Sequence, residues 1–163
     1  MITHNYMELF VSTFANKIDK KGRISFPSIF RNALPRKNKN EIILYKSLKH
    51  KSIEGCSVER LNEIANRINN LDFFSEDQDD FSTSIFSEII PTNIDNEGRF
   101  LIPDKLKKYA NISKEAVFFG QGHYFQIWEP KAASIKQENS KQRLINKKKS
   151  LSSILIQKKI NEK

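Results

Sequence analysis

The chain has 163 residues, with 28 Lys and Arg against 19 Asp and Glu and a formal net charge of +9. That length suggests one domain or two very small ones, and 38% hydrophobic with 29% charged residues is a globular composition, not a disordered one. A single Cys excludes an intramolecular disulfide framework and a multi-cysteine zinc site, and no apolar run approaches the ~18 residues of a membrane-crossing helix.

The first residues, Met1-Ile2-Thr3-His4-Asn5, lack the basic-then-apolar layout of a signal peptide, so a soluble, cytoplasmic chain is the default expectation. A strand is expected over 13–18. Asp19-Lys20-Lys21-Gly22 then reads as a turn, because Asp caps its own backbone and Gly supplies positive φ. Arg23-Ile24-Ser25-Phe26 resumes a short strand, and the two strands suggest a hairpin. Pro27 fits the first position of a helix over 27–34, and a third strand follows over 41–46. Ser57 can cap a helix with Leu61, Ile64, Ile68 and Leu71 on one face. Ser75-Glu76-Asp77-Gln78 reads as a capping box for a second, with acidic residues at its positive end. The pattern then begins again: a strand over 85–94, a turn at Asp95-Asn96-Glu97-Gly98, a strand over 99–102, a helix over 103–110 and a strand over 116–120. A further strand spans 123–128, and Glu129-Pro130 starts a helix to about residue 143. The remainder, with Lys147-Lys148-Lys149, is either a frayed helix or a disordered tail.

The repetition is the main finding. Ile18-Asp19-x-x-Gly22-Arg23 with Pro27 recurs 76 residues later as Ile94-Asp95-x-x-Gly98-Arg99 with Pro103. Apolar character is kept at 24/100 and 26/102, and a basic residue at 31/107. Each copy reads as a β-turn-β-α-β unit. Charge is segregated as well. Residues 16–51 hold eleven Lys and Arg against two acids, residues 52–98 hold eleven acids against two Arg, and residues 131–163 hold ten Lys and Arg against two acids. Such basic blocks are the electrostatic footprint of a polyanion binder, although a Lys-, Asn- and Ile-rich bias can also arise from base composition.

These residues resemble the MraZ family, whose members carry two copies of the domain named after SpoVT and AbrB. The resemblance covers roughly residues 8–140. It rests on Phe10-Val11-Ser12-Thr13, on the two Asp-x-x-Gly-Arg motifs with their prolines, and on Gly120-Gln121-Gly122-His123-Tyr124-Phe125-Gln126-Ile127-Trp128. It implies an α+β fold, a swapped-hairpin β-barrel built from two tandem β-turn-β-α-β repeats, with helices between and after them. The expected layout is an N-terminal arm over 1–11, repeats over 12–60 and 85–131, linking helices over 61–84, and a C-terminal helix and basic tail over 132–163. It further implies a ring of about eight or more subunits acting as a bacterial transcriptional regulator of the cell-division and cell-wall gene cluster, binding short direct repeats in double-stranded DNA upstream of that cluster and of its own gene. Ser12 stands where many members have Gly, and Asn96-Glu97 replaces the Lys20-Lys21 of the first loop, so two equivalent DNA-facing edges are not expected.

Arg23 and Arg99 match the family's DNA-contacting arginine. An Arg just past a tight turn can clamp a phosphate or read guanine with both arms of its fork. It can equally form a structural ion pair with Asp19 or Asp95, four residues earlier, and the two roles are compatible. Lys17, Lys20 and Lys21 flank the first loop as candidate phosphate contacts, or form a solvated turn. Arg31 and Lys107, four residues after each Pro, are candidate DNA contacts or members of a solvated helix face. Asp19, Gly22, Asp95 and Gly98 are expected to shape the loops. Trp128 with Phe125 and Ile127 reads as core or subunit contact before a base-stacking platform, and the alternation of Phe125 and Ile127 against Gln126 is a strand pattern with one buried face. Cys56 reads as an inert small residue, and with His only at 4, 50 and 123 a nucleophile–base set is not expected. The acidic run 72–80 reads as a negatively charged helix start before a cation site. No catalytic residue, metal or cofactor is expected, and no membrane partner. Two other classes fit the charge pattern: a non-specific nucleoid or RNA-binding protein, and a ring-shaped scaffold acting through protein partners.

Overall fold

Short apolar runs set between turn residues fold as short strands here, and those strands find their partners far along the chain. In a computed structural model, residues 9–148 and 150–162 are described; residues 1–8 of the expected arm, and Lys149 and Lys163 of the tail, lie outside them. The chain divides into one unit ending at Pro130 and another beginning at Lys131.

In the first unit, β1 (Thr13–Lys17) and β2 (Arg23–Ser25) precede α1 (Ser28–Ala33), a 3-10 turn (Arg36–Asn38), β3 (Glu41–Lys46) and β4 (Ile53–Cys56). Two helices follow, α2 (Val58–Asn69) and α3 (Glu76–Ile85), then a 3-10 turn (Phe86–Glu88). The second half runs β5 (Ile90–Asn93), β6 (Arg99–Leu101), α4 (Asp104–Tyr109), β7 (Glu115–Gly120) and β8 (Phe125–Trp128). The result is a mixed α+β fold on an antiparallel sheet, in the order β1-β7-β8-β4-β3-β5, with a separate β2-β6 pair.

The expected local hairpin is corrected by this pairing. Between β1 and β2 the ladder is reduced to one isolated bridge, Ile18↔Ile24, beside the Asp19 N–H to Arg23 C=O bond of the turn at 2.9 Å. β1 instead runs against β7, from Thr13↔Phe119 to Lys17↔Glu115, and β5 runs against β3, from Glu41↔Asn93 to Leu44↔Ile90. β2 pairs with β6 about Ile24↔Phe100. β7 offers β1 five paired positions and sets Phe14 opposite Phe118, and the β2-β6 pairing buries Ile24 and Phe100 in the core. The two halves pair in the same way: Lys17 and Asn93 lie 76 residues apart, as the motifs do, and their partners Glu115 and Glu41 lie 74 residues apart.

A strand also appears where none was expected. β4 pairs with β3 and β8, so each half carries its fourth strand. Gly55 lies inside it because the Phe125 ring occupies the place a Cβ would take. The strand expected from residue 85 begins at Ile90, because helical bonding continues through Phe86 N–H to Ser82 C=O and the Ser87 hydroxyl to Thr83 C=O. Pro27 and Pro103 cap α1 and α4 rather than opening them. Ser75 caps α3 by accepting from Gln78 N–H at 3.1 Å, but the Gln78 amide turns to Ser82, so the expected reciprocal bond is spent elsewhere. Ser57 caps α2 as expected, through Arg60 N–H at 3.1 Å.

The main core is aromatic. Phe30 of α1 is fully buried, with ring centroids 5.3 Å from Phe10 and 5.6 Å from Phe125. Leu106 occupies the matching place on α4 and is also fully buried. A second cluster joins Ile43, Tyr45 and Cys56 to Val58 and Leu61 of α2. Of the expected α2 face, Ile68 is buried, Leu61 and Ile64 are half-buried, and Leu71 lies beyond the helix and is exposed. β8 is buried on both faces, not one. Gln126 is among the buried residues, its amide oxygen accepting from Trp128 Nε1 at 3.0 Å and Gln121 Nε2 at 3.3 Å.

In the second unit the expected helix continues to Asn146 as α5 (Pro130–Asn146). The segment read as a frayed helix or disordered tail forms α6 (Leu151–Asn161). Its start is fixed by a reciprocal capping box: the Ser150 hydroxyl accepts from Ser153 N–H, and the Ser153 hydroxyl from Ser150 N–H, both at 3.1 Å.

Candidate nucleic-acid interface

Both Asp-x-x-Gly-Arg motifs close the same loop. Asp19 Oδ1 accepts from the backbone N–H of Lys21 and of Arg23, each at 2.9 Å. Asp95 Oδ1 accepts from Glu97 and Arg99 N–H at the same distance. Gly22 and Gly98 donate to the Asp19 and Asp95 carbonyls at 2.9 Å, which requires the left-handed backbone they adopt, φ 81° and 75°. Each Asp side chain thus ties two backbone N–H groups of its own loop.

The second oxygen of each carboxylate holds the arginine. Asp19 Oδ2 lies 2.8 Å from Arg23 Nε and 2.7 Å from Nη2. Asp95 Oδ2 lies 3.2 Å from Arg99 Nε, while Arg99 Nη2 turns to Glu97 at 2.7 Å. The Arg23 backbone N–H bond is the main cause that holds the Asp19 carboxyl below its usual range, with the Arg23 guanidinium adding to it. The same backbone bond from Arg99 acts on Asp95. Both stay ionised near neutral pH, so each fork is oriented before any ligand arrives.

The β2-β6 pair sets both arginines on one surface. Ile24 and Phe100 point into the core, 1% and 2% exposed, so Arg23, Ser25, Arg99 and Leu101 occupy the outward face. Arg23 is opposite Leu101 and Arg99 opposite Ser25. The two arginines are thus diagonal neighbours, roughly 7–8 Å apart at Cα. Reading the motifs in sequence placed them on two separate edges; the structure brings them onto a single ribbon.

Each loop also meets the helix of the other half. The Arg31 guanidinium on α1 lies where a Cβ on Gly98 would be. Lys107 Nζ on α4 lies 3.9 Å from the matching point at Gly22. The β2 end is joined to the second loop by Phe26 N–H donating to Gly98 C=O at 2.8 Å, and to β1 by Asn16 Nδ2 donating to Ser25 C=O at 2.9 Å. These crossings were invisible in sequence, where Arg31 belongs to the motif of Arg23 and not to that of Arg99. The matching basic residues at 31 and 107 were the only signal.

The two loops differ in charge. The first carries Lys17, Lys20, Lys21 and Arg23 against Asp19, and the three lysines are exposed. The second carries Arg99 against Asp95 and Glu97. Lys107 is partly drawn to Asp104, at 3.4 Å.

Elsewhere, Cys56 is fully buried and burial pushes its thiol up to about 12, which leaves it unreactive. Among the described residues, no group of His, Cys, Asp and Glu is placed to hold a metal ion, and no helix is long and apolar enough to cross a membrane. Glu76, Asp77 and Asp79 occupy the first turn of α3, where they complement the helix dipole.

The fold and its loops define an α+β protein with two arginine-bearing turns displayed on one short ribbon. A family model described as "MraZ protein, putative antitoxin-like" matches residues 85–152. The chain is 46% identical over 124 residues to the protein named Transcriptional regulator MraZ of Pelagibacter ubique strain HTCC1062, covering 76% of this chain and 80% of that protein. It is 37% identical over 142 residues to the proteins of the same name from Rickettsia canadensis strain McKiel and Rickettsia felis strain ATCC VR-1525 / URRWXCal2, covering 87% of this chain and 95% of each. The chain belongs to the MraZ family.

Proposed function

We propose that this chain is a sequence-specific DNA-binding transcriptional regulator, as its relatives are named, and that the β2-β6 ribbon and its two loops are the DNA-binding surface. The observation that carries this reading is the pair of pre-oriented arginines, Arg23 and Arg99, on the outward face of one ribbon. Lys17, Lys20, Lys21, Arg31 and Lys107 surround them as phosphate contacts. The first loop, richer in free cations, is the stronger electrostatic edge.

The strand exchange between halves supports a swapped-hairpin barrel, in which repeats over 12–60 and 85–131 intertwine. On this reading several such units form a ring of about eight or more subunits, and each unit meets one short direct repeat upstream of the division and cell-wall gene cluster. Each phosphate contact contributes about 0.9 to the slope of log K against log salt, so one unit binds modestly. Several units on one operator gain about 10²- to 10⁴-fold without new contacts.

The test is fluorescence anisotropy across a salt series, with a duplex of the chain's own upstream repeats against a scrambled duplex. Preference for the repeats, growing with repeat number, supports the regulator. Equal binding to both duplexes assigns the affinity to bulk positive charge and overturns it.

A further inference from the structure

Two exposed surfaces of this chain are apolar and opposite in charge. The first lies on the α2–α3 corner. Phe73 and Phe74 are 75% and 91% exposed, stacked edge to face with centroids 5.3 Å apart. On the same α2–α3 segment, an open groove of about 300 Å³ is lined by Leu48, Phe81, Ser84, Asp77 and Asp80. Large aromatic side chains left this bare are uncommon on a surface that meets only water.

The second is α6. Leu151, Ile154 and Leu155 form one row along it, and Ile156 and Ile160 a second row on the opposite side. All five are exposed in the single chain. Lys158 and Lys159 follow Leu155 by three and four residues, so they share its side of the helix. A helix apolar on two sides is suited to enclosure by protein, whereas one lying flat on a bilayer keeps a polar back.

We propose that α6 of one copy docks on the α2–α3 corner of a second copy, with Ile154 and Leu155 in the groove over Leu48 and Phe81, and Lys158 and Lys159 against Asp77 and Asp80. Charge complementarity selects this occupant: the corner is acidic around its aromatic residues, and α6 is the basic apolar element of the same chain. This is an interaction in helix-in-groove style. It extends the self-association part of the reading above and is independent of the DNA-binding surface.

The experiment is disulfide trapping between full-length chains. A tagged Ser84→Cys chain, with the cysteine on the groove lining, is mixed with an untagged Leu155→Cys chain, allowed to exchange subunits, and oxidised. Cys56 is fully buried and stays silent. The expected product is a disulfide joining one tagged to one untagged chain, well above that of either variant alone. Asp77→Lys/Asp80→Lys in the tagged chain should lower its yield roughly five- to tenfold, and Lys158→Glu/Lys159→Glu in the partner should restore it. Light scattering on the same samples separates the ways to fail. A multimeric mass without the cross-link overturns this docking and leaves the ring reading standing. A monomeric mass overturns both. A cross-link formed only when both cysteines are on one chain, and insensitive to dilution, assigns the contact within the chain and overturns the second-copy occupant. Flotation of the wild type with phosphatidylcholine–phosphatidylserine vesicles, lost in Leu155→Asp, assigns α6 to a bilayer and also overturns it.

Discussion

Replacing Gly98 by Ala separates what the loop glycine does for stability from what it does for the cation beside it. At φ 75° a Cβ costs about 1–2 kcal/mol. The new Cβ would also overlap the Arg31 guanidinium, the far end of a flexible side chain that can swing aside at little further cost. Gly22→Ala is the matched control, since φ is 81° and the nearest atom is Leu101 Cδ1 at 3.2 Å, with Arg31 untouched. Both variants should lose about 1–2 kcal/mol, a fall in the thermal midpoint of roughly 2–4 °C per kcal/mol. Trp128, the one Trp of the chain and 5% exposed, reports the unfolding by fluorescence. Anisotropy on the repeat duplex should then distinguish them: Gly98→Ala loses about one unit of salt slope relative to Gly22→Ala, because one phosphate contact has been displaced. Equal salt slopes would remove Arg31 from the DNA surface. An unchanged midpoint in both variants would refute the claim that these loops depend on left-handed glycine.

Three further outcomes follow from the geometry. Ser12 has φ 76° and its carbonyl accepts from Gly120 N–H at 2.9 Å, so Ser12→Gly should relieve strain and raise stability by about 0.5 kcal/mol, read as a small rise in the thermal midpoint. Phe30→Ala removes a fully buried ring at the centre of the aromatic core and should cost about 3–5 kcal/mol by urea denaturation, whereas a loss below 1 kcal/mol would mean that the core collapses around the gap. Asp19 and Asp95 have folded values below the ordinary 3.8, so the stability they contribute is present above that value and lost as pH falls through the lower folded values. An acid titration should show this loss in the wild type and its reduction in Asp19→Asn/Asp95→Asn.

The motifs were legible because their chemistry is local. An Asp capping its own turn, a Gly at positive φ and an Arg four residues later are fixed by neighbours in sequence. Strand partners were not legible, because the same alternation in 13–18 and 23–26 serves a local hairpin or a ladder with a strand a hundred residues away. β4 was missed because Gly55 breaks its pattern, and the reason for that glycine, the Phe125 ring, lies in the other half. Gln126 misled for a similar reason: an amide reads as a solvent-facing residue until Trp128 and Gln121 are found as its partners. The crossing of Arg31 to the Gly98 loop depends on the same exchange of strands, so no reading of one motif alone reveals it.

The central claim is that the two loop arginines carry DNA recognition. The most direct measurement is anisotropy of the Arg23→Ala/Arg99→Ala variant against the wild type, on repeat and scrambled duplexes, with light scattering to verify an unchanged oligomer. Loss of the preference for the repeats, with the residual binding equal on both duplexes, is the predicted result. Retained preference in an intact oligomer would contradict it and move recognition away from the β2-β6 ribbon.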